Sequence, residues 1–95
     1  MFLLEFDAAD PKATRAARTA FLGYLQREIL GDRDLAPAAA LFDDLVLIAT
    51  SGERWARASV SWQRDGTGTL RVSDPEVAGR GVEAMLPLRR RLVAA

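Results

Sequence analysis

The sequence predicts an α+β domain: a small three-stranded, mostly antiparallel sheet with helices on one face, in the order strand, helix, helix, strand, strand, helix. Three observations predict it. Ala56, Ala58, Val60 and Trp62 alternate with Arg57, Ser59, Ser61 and Gln63, the period-two pattern of a half-buried strand. Asp65-Gly66-Thr67-Gly68 then supplies turn chemistry, and Leu70 and Val72 carry the alternation back along a strand over 69–73, which makes an antiparallel hairpin. Ala13, Ala17, Phe21, Leu25 and Ile29 recur every four residues, as on the apolar stripe of a surface helix. A three-stranded sheet needs its apolar face covered, and helices on one side do so most economically.

The elements follow in order. Phe2, Leu4 and Phe6 share one face of a short apolar run, and Asp7-Ala8-Ala9-Asp10-Pro11 ends that first strand. Asp10 is suited to cap a helix N-terminus with Pro11 at its first position. The helix is predicted from Pro11 to about Leu30, with Gly31 as its stop. Leu35-Ala36-Pro37 opens a second run that reaches Gly52. Leu45-Val46-Leu47-Ile48 alone also fits a buried strand, but continuity with Ala38-Ala39-Ala40 and the helical spacing of Leu41, Leu45 and Ile48 favours a helix. After the hairpin, Asp74-Pro75-Glu76 leaves the sheet, 77–81 reads as a loop, and Val82 to Val93 reads as a last helix that Pro87 must kink or shorten.

Composition narrows the chemistry. The 95 residues suit one domain, 1–95, and a hydrophobic fraction of 49% provides one modest core. There is no histidine, no cysteine and a single lysine, Lys12. The commonest general base and metal ligand, the thiolate nucleophile and the sulfur zinc site are therefore all missing. None of the serines stands in a G-x-S-x-G or S-x-x-K setting. Asp43 and Asp44 are adjacent, so on a helix they diverge by about 100° and read as solvated charges rather than a catalytic pair. The sequence thus points away from an enzyme and assigns no catalytic residue, no metal and no cofactor. Basic and acidic residues balance at 13 each, so the footprint of a nucleic-acid-binding domain is weak. The N-terminal segment lacks the basic flank of a signal peptide and no apolar run approaches the roughly 20 residues of a bilayer crossing. A cytoplasmic location without a membrane partner is expected.

Several short motifs carry a resemblance. Ala13-Thr14-Arg15-Ala16-Ala17-Arg18-Thr19-Ala20-Phe21 resembles the first helix of the anti-sigma-factor serine kinases, compact bacterial members of the GHKL ATPase superfamily. Asp44-Leu45-Val46-Leu47-Ile48-Ala49 resembles their second-helix signature, Thr69 to Asp74 the strand presenting the adenine-binding aspartate, and Gly79-Arg80-Gly81-Val82 a later glycine turn. The resemblance implies a nucleotide pocket at Asp74, Gly79 and Gly81. It also implies that phosphorylation is lost, since the general-base glutamate falls on Asp44 and the magnesium-holding asparagine on Ile48.

The function expected is therefore a non-catalytic protein-interaction, adaptor or regulatory module of a bacterial signalling or assembly system. Its partner would be another protein chain or a second copy of itself. Trp55 at a strand entry, Arg54 and Arg57 beside it, and Arg89 and Arg90 near the C-terminus are its candidate contacts, because Trp and Arg are enriched at binding hot spots. One alternative is a nucleotide-binding anti-sigma-like regulator with a vestigial ATP pocket. The other is a weak nucleic-acid-binding domain using Arg57, Arg64 and the terminal arginines.

Overall fold

The computed structural model describes residues 1–29, 34–77 and 81–90. Its elements are β1 (Phe2–Asp7), α1 (Pro11–Glu28), α2 (Ala36–Thr50), β2 (Trp55–Trp62), β3 (Thr67–Ser73) and β4 (Gly81–Arg89). The strands form one antiparallel sheet in the order β1-β2-β3-β4. The α+β class, the first two helices and the hairpin follow the patterning, with α1 ending at Glu28, short of the predicted Leu30. Gly31, its predicted stop, lies outside the described residues.

The sheet has four strands rather than three, because the segment predicted as a third helix is β4. Val82, Met85 and Leu86 have helical spacing, yet Val82, Ala84, Leu86 and Leu88 also have strand spacing. Pairing decides between them. Val82 stands opposite Val72 and Ala84 opposite Leu70, so the even-numbered residues extend the apolar face. Pro87 is tolerated because β4 is an edge strand, where a missing N–H need not interrupt a ladder. Near it the register shifts: Thr69 faces Met85 while Thr67 faces Arg89, which leaves extra residues on β4 as a bulge. Residues 91–93 of the predicted helix lie outside the described residues.

Both helices cover the face made by the even-numbered strand residues. α1 lies over β1, and α2 lies over β3 and β4 and reaches β2. Ala56 and Ala58 leave space beneath the helices, and the aromatic rings fill it. Phe42 from α2 stacks on Phe21 of α1 at 5.1 Å between centroids and on Phe6 of β1 at 5.9 Å. Phe21 and Phe42 have no exposed surface, and burying a phenylalanine contributes roughly 1.5–3 kcal/mol. Arg18 of α1 meets Asp43 of α2 at 3.0 Å over the outer seam of the two helices.

Local chemistry sets the ends. The Asp10 carboxylate accepts from the Lys12 amide at 3.0 Å with Pro11 opening α1, so one free N-terminal N–H is satisfied and the position that would lack one is a proline. α2 closes on Ser51 at φ 56° and Gly52 at φ 68°. The buried Thr50 hydroxyl donates to the Val46 carbonyl at 2.7 Å and accepts from the Gly52 amide at 3.1 Å. In the hairpin, Asp65 accepts from the Thr67 hydroxyl at 2.6 Å and the Thr67 amide at 2.9 Å. Those two bonds, the hydroxyl first, hold the Asp65 carboxyl below its ordinary value.

Candidate functional site

The residues singled out by sequence fall at two opposite ends of the sheet, because β2 runs from Trp55 to Trp62. At the first end, the Asp74 side chain is fully buried just past β3. It accepts from the Glu76 amide at 2.9 Å and faces the half-exposed Arg54 guanidinium at 3.4 Å. The Val77 amide donates to the Asp74 carbonyl at 3.2 Å. Asp74 thereby organises the turn leaving the sheet. Arg57 donates twice to one Glu5 oxygen, from Nε at 2.8 Å and Nη2 at 2.6 Å, across the β1/β2 ladder on the open face. Trp55, 50% exposed, stands opposite Asp7.

Gly81 opens β4 opposite Ser73, and a Cβ there would lie 2.7 Å from the Arg71 guanidinium. A strand therefore starts at Gly81, where the sequence predicts a loop leading into a helix. Gly79 lies outside the described residues. At the second end, Arg89 stands opposite Thr67. Arg90 lies over the Trp62 ring at 5.3 Å, and the Trp62 indole N–H donates to the Tyr24 hydroxyl at 2.7 Å. The five predicted contact residues do not converge.

Asp44 and Ile48 both lie on the outer face of α2, Ile48 at 60% exposure, while the neighbouring Asp43 turns to Arg18. Among the described residues no group of three acidic side chains is placed to hold a metal ion. No described helix is long and apolar enough to cross a membrane.

What the patterning does not reveal is a groove of about 580 Å³ along β1. Its walls are Leu4 and Phe6 of the strand's core face, Glu5 and Asp7 of its open face, and Ala13, Ala16, Ala17 and Ala20 of α1. Residues from both faces of β1 line it, so it opens along the strand's free edge. Among the described residues β1 pairs on one side only, with β2. The groove exists because the α1 residues above β1 are alanines, and Ala16 and Ala20 are exposed. Trp55 and Asp10 border its end, and Leu3, 59% exposed, flanks it on the open face. The signal was present as small residues at helical spacing, but they read equally well as an ordinary apolar stripe.

The two edges differ. β4 carries Pro87 and a register shift, features that discourage another strand from adding. β1, Phe-Leu-Leu-Glu-Phe-Asp, carries no proline, no lysine and no bulge. Comparisons with protein-family models, curated proteins and solved structures returned no match to this chain.

Proposed function

We propose that the chain is a non-catalytic protein-interaction module that takes up an extended strand of a protein partner along β1, in an adaptor or regulatory role. The observation that supports this reading is the unguarded β1 edge beside an apolar groove. An added strand bonds its main chain to the free N–H and C=O groups of β1, and its alternate side chains enter the space under α1. The alanines accept apolar side chains, and Trp55 borders the end at which Asp7 and Asp10 lie. Trp55 is the expected contact residue that borders this groove; Arg54 and Arg57 are engaged with Asp74 and Glu5.

A ten-residue peptide of alternating valine and lysine, added to the ¹⁵N-labelled chain, tests the reading. Amide shifts are expected to be confined to residues 2–7 and 13–20, with slower exchange of β1 amides. No response from the chain at a concentration where it is monomeric, or a response centred elsewhere, overturns it. A parallel melt with millimolar ATP and magnesium addresses the nucleotide alternative. A ligand at 100 times its Kd stabilises by about 2.7 kcal/mol, so a domain of this size would melt roughly 10 °C or more higher. An unchanged melting temperature is expected.

A further inference from the structure

We infer that the strand taken up by β1 is the β1 of a second copy of this chain, forming a two-fold dimer with one continuous eight-stranded sheet. This deepens the reading above and rests on it. The argument begins with register. In β1 the even residues face the helices and the odd residues face outward, so a two-fold pairing that continues both faces must match even with even and odd with odd. Two such registers use most of the strand. One pairs Leu3 with Asp7, Leu4 with Phe6 and Glu5 with the second Glu5, which sets like charges directly opposite each other and is disfavoured. The other pairs Phe2 with Phe6, Leu3 with Glu5 and Leu4 with the second Leu4. It sets no like charges directly opposite each other, and its axis passes through Leu4.

The helix layer selects the same axis. Phe2 lies beneath Tyr24 and Phe21, with centroids 5.3 and 5.9 Å apart, and Asp10 caps α1 at the Asp7 end. Leu4, between them, lies below the alanines that share its groove. A two-fold at Leu4 therefore brings the smallest part of α1 against its counterpart, where helices approach most closely, and each protomer closes the other's groove.

Closure explains why the partner is a second copy. Once the two β1 strands pair, the sheet's remaining edges are the two β4 strands, each carrying Pro87 and the bulge. Growth stops at two, as an isologous interface requires. Among the described residues β1 is the edge without a proline or bulge, and it is the one that pairing consumes.

The chain contains no cysteine, so introduced thiols report contacts without interference. Sedimentation equilibrium at 100 µM is expected to give about twice the 10.4 kDa of one chain. Ala16→Arg, at an exposed position that leaves the core intact, is expected to halve that mass with an unchanged far-UV spectrum. Leu3 and Glu5 lie on the open face, so their cysteine variants should fold. A mixture of Leu3→Cys and Glu5→Cys is expected to oxidise to the mixed disulfide dimer at least tenfold faster than Glu5→Cys alone. A monomeric wild type overturns the inference; if that monomer still binds the valine/lysine peptide along β1, the strand-capture reading survives, and if it does not, both fall. A dimer that survives Ala16→Arg, or in which Glu5→Cys joins to itself fastest, overturns the assigned interface.

Discussion

Replacing Gly68 with alanine sets two physical effects against each other. Glycine in a strand carries an entropic penalty, so the substitution alone should stabilise by about 0.5–1 kcal/mol. Gly68, however, stands directly opposite Trp62 on the core face. A Cβ there would lie 2.6 and 2.8 Å from Cζ3 and Cε3 of the Trp62 ring and 2.9 Å from Leu86 Cδ1. The ring is held from two other sides, by its bond to Tyr24 and by Arg90. Overpacking costs about 1–3 kcal/mol, loss of the Trp62–Tyr24 bond about 0.5–1.5, and loss of the arginine contact about 0.5–1. Net destabilisation of about 1–5 kcal/mol, centred near 3, is expected after subtracting the entropic gain, and the central value corresponds to a fall in Tm of roughly 10 °C or more. Urea titration read by tryptophan fluorescence and far-UV circular dichroism measures it. In a Trp62→Leu background most of the cost should vanish, because the ring carries the clash. A Gly68→Ala protein as stable as the wild type, or an equal cost in both backgrounds, would refute the packing argument.

Two further predictions concern single carboxylates. Because Asp65 titrates below its ordinary 3.8 in the folded chain, its contribution to the hairpin is complete above that value and is lost as pH falls through the lower folded midpoint. Carboxyl NMR should show a midpoint below 3.8 that Thr67→Val moves upward; an unmoved midpoint would discount the hydroxyl bond. Asp74→Ala removes a fully buried acceptor and leaves the Glu76 amide unpaired, at a cost of about 2 kcal/mol. Arg54→Ala, at a half-exposed position where water can replace it, should cost no more than about 1 kcal/mol. Denaturation curves that reverse this order would show the ion pair, not the turn, to be the stabilising feature.

The parts of the fold legible in the sequence are those fixed by local chemistry. The Asp10 cap with Pro11, the Asp65-Gly66 turn and the alternation through Trp62 each specify structure within a few residues. β4 was illegible because its apolar residues satisfy two periods at once, and the deciding fact, Val82 and Ala84 opposite Val72 and Leu70, is a contact between distant parts of the chain. Pro87 argues against a helix interior and a central strand alike; an edge is a property of the whole sheet. The groove is invisible in the sequence for a different reason. It is made by what Ala13, Ala16, Ala17 and Ala20 lack, and an absent atom becomes visible only when the strand beneath is in place.

The arginines show what residues read singly cannot reveal, namely which charges already have a partner within the fold. Read singly, Arg54, Arg57 and Arg90 are contact residues for an unknown partner. In the fold each meets a partner inside the chain: Arg54 meets Asp74, Arg57 meets Glu5, and Arg90 covers Trp62, as Arg18 meets Asp43 and Arg71 meets Glu83. Exposed pairs of this kind add at most about 1 kcal/mol each, so their value lies in alignment. A one-residue slip of β1 against β2 would part Glu5 from Arg57 while turning Phe2 and Phe6 out of the core. Charges paired in this way are locally neutralised. Among the described residues the β1 main chain is unpaired on the side away from β2 and borders the alanine-lined space, so under the strand-capture proposal recognition acts through backbone and shape rather than through these five arginines.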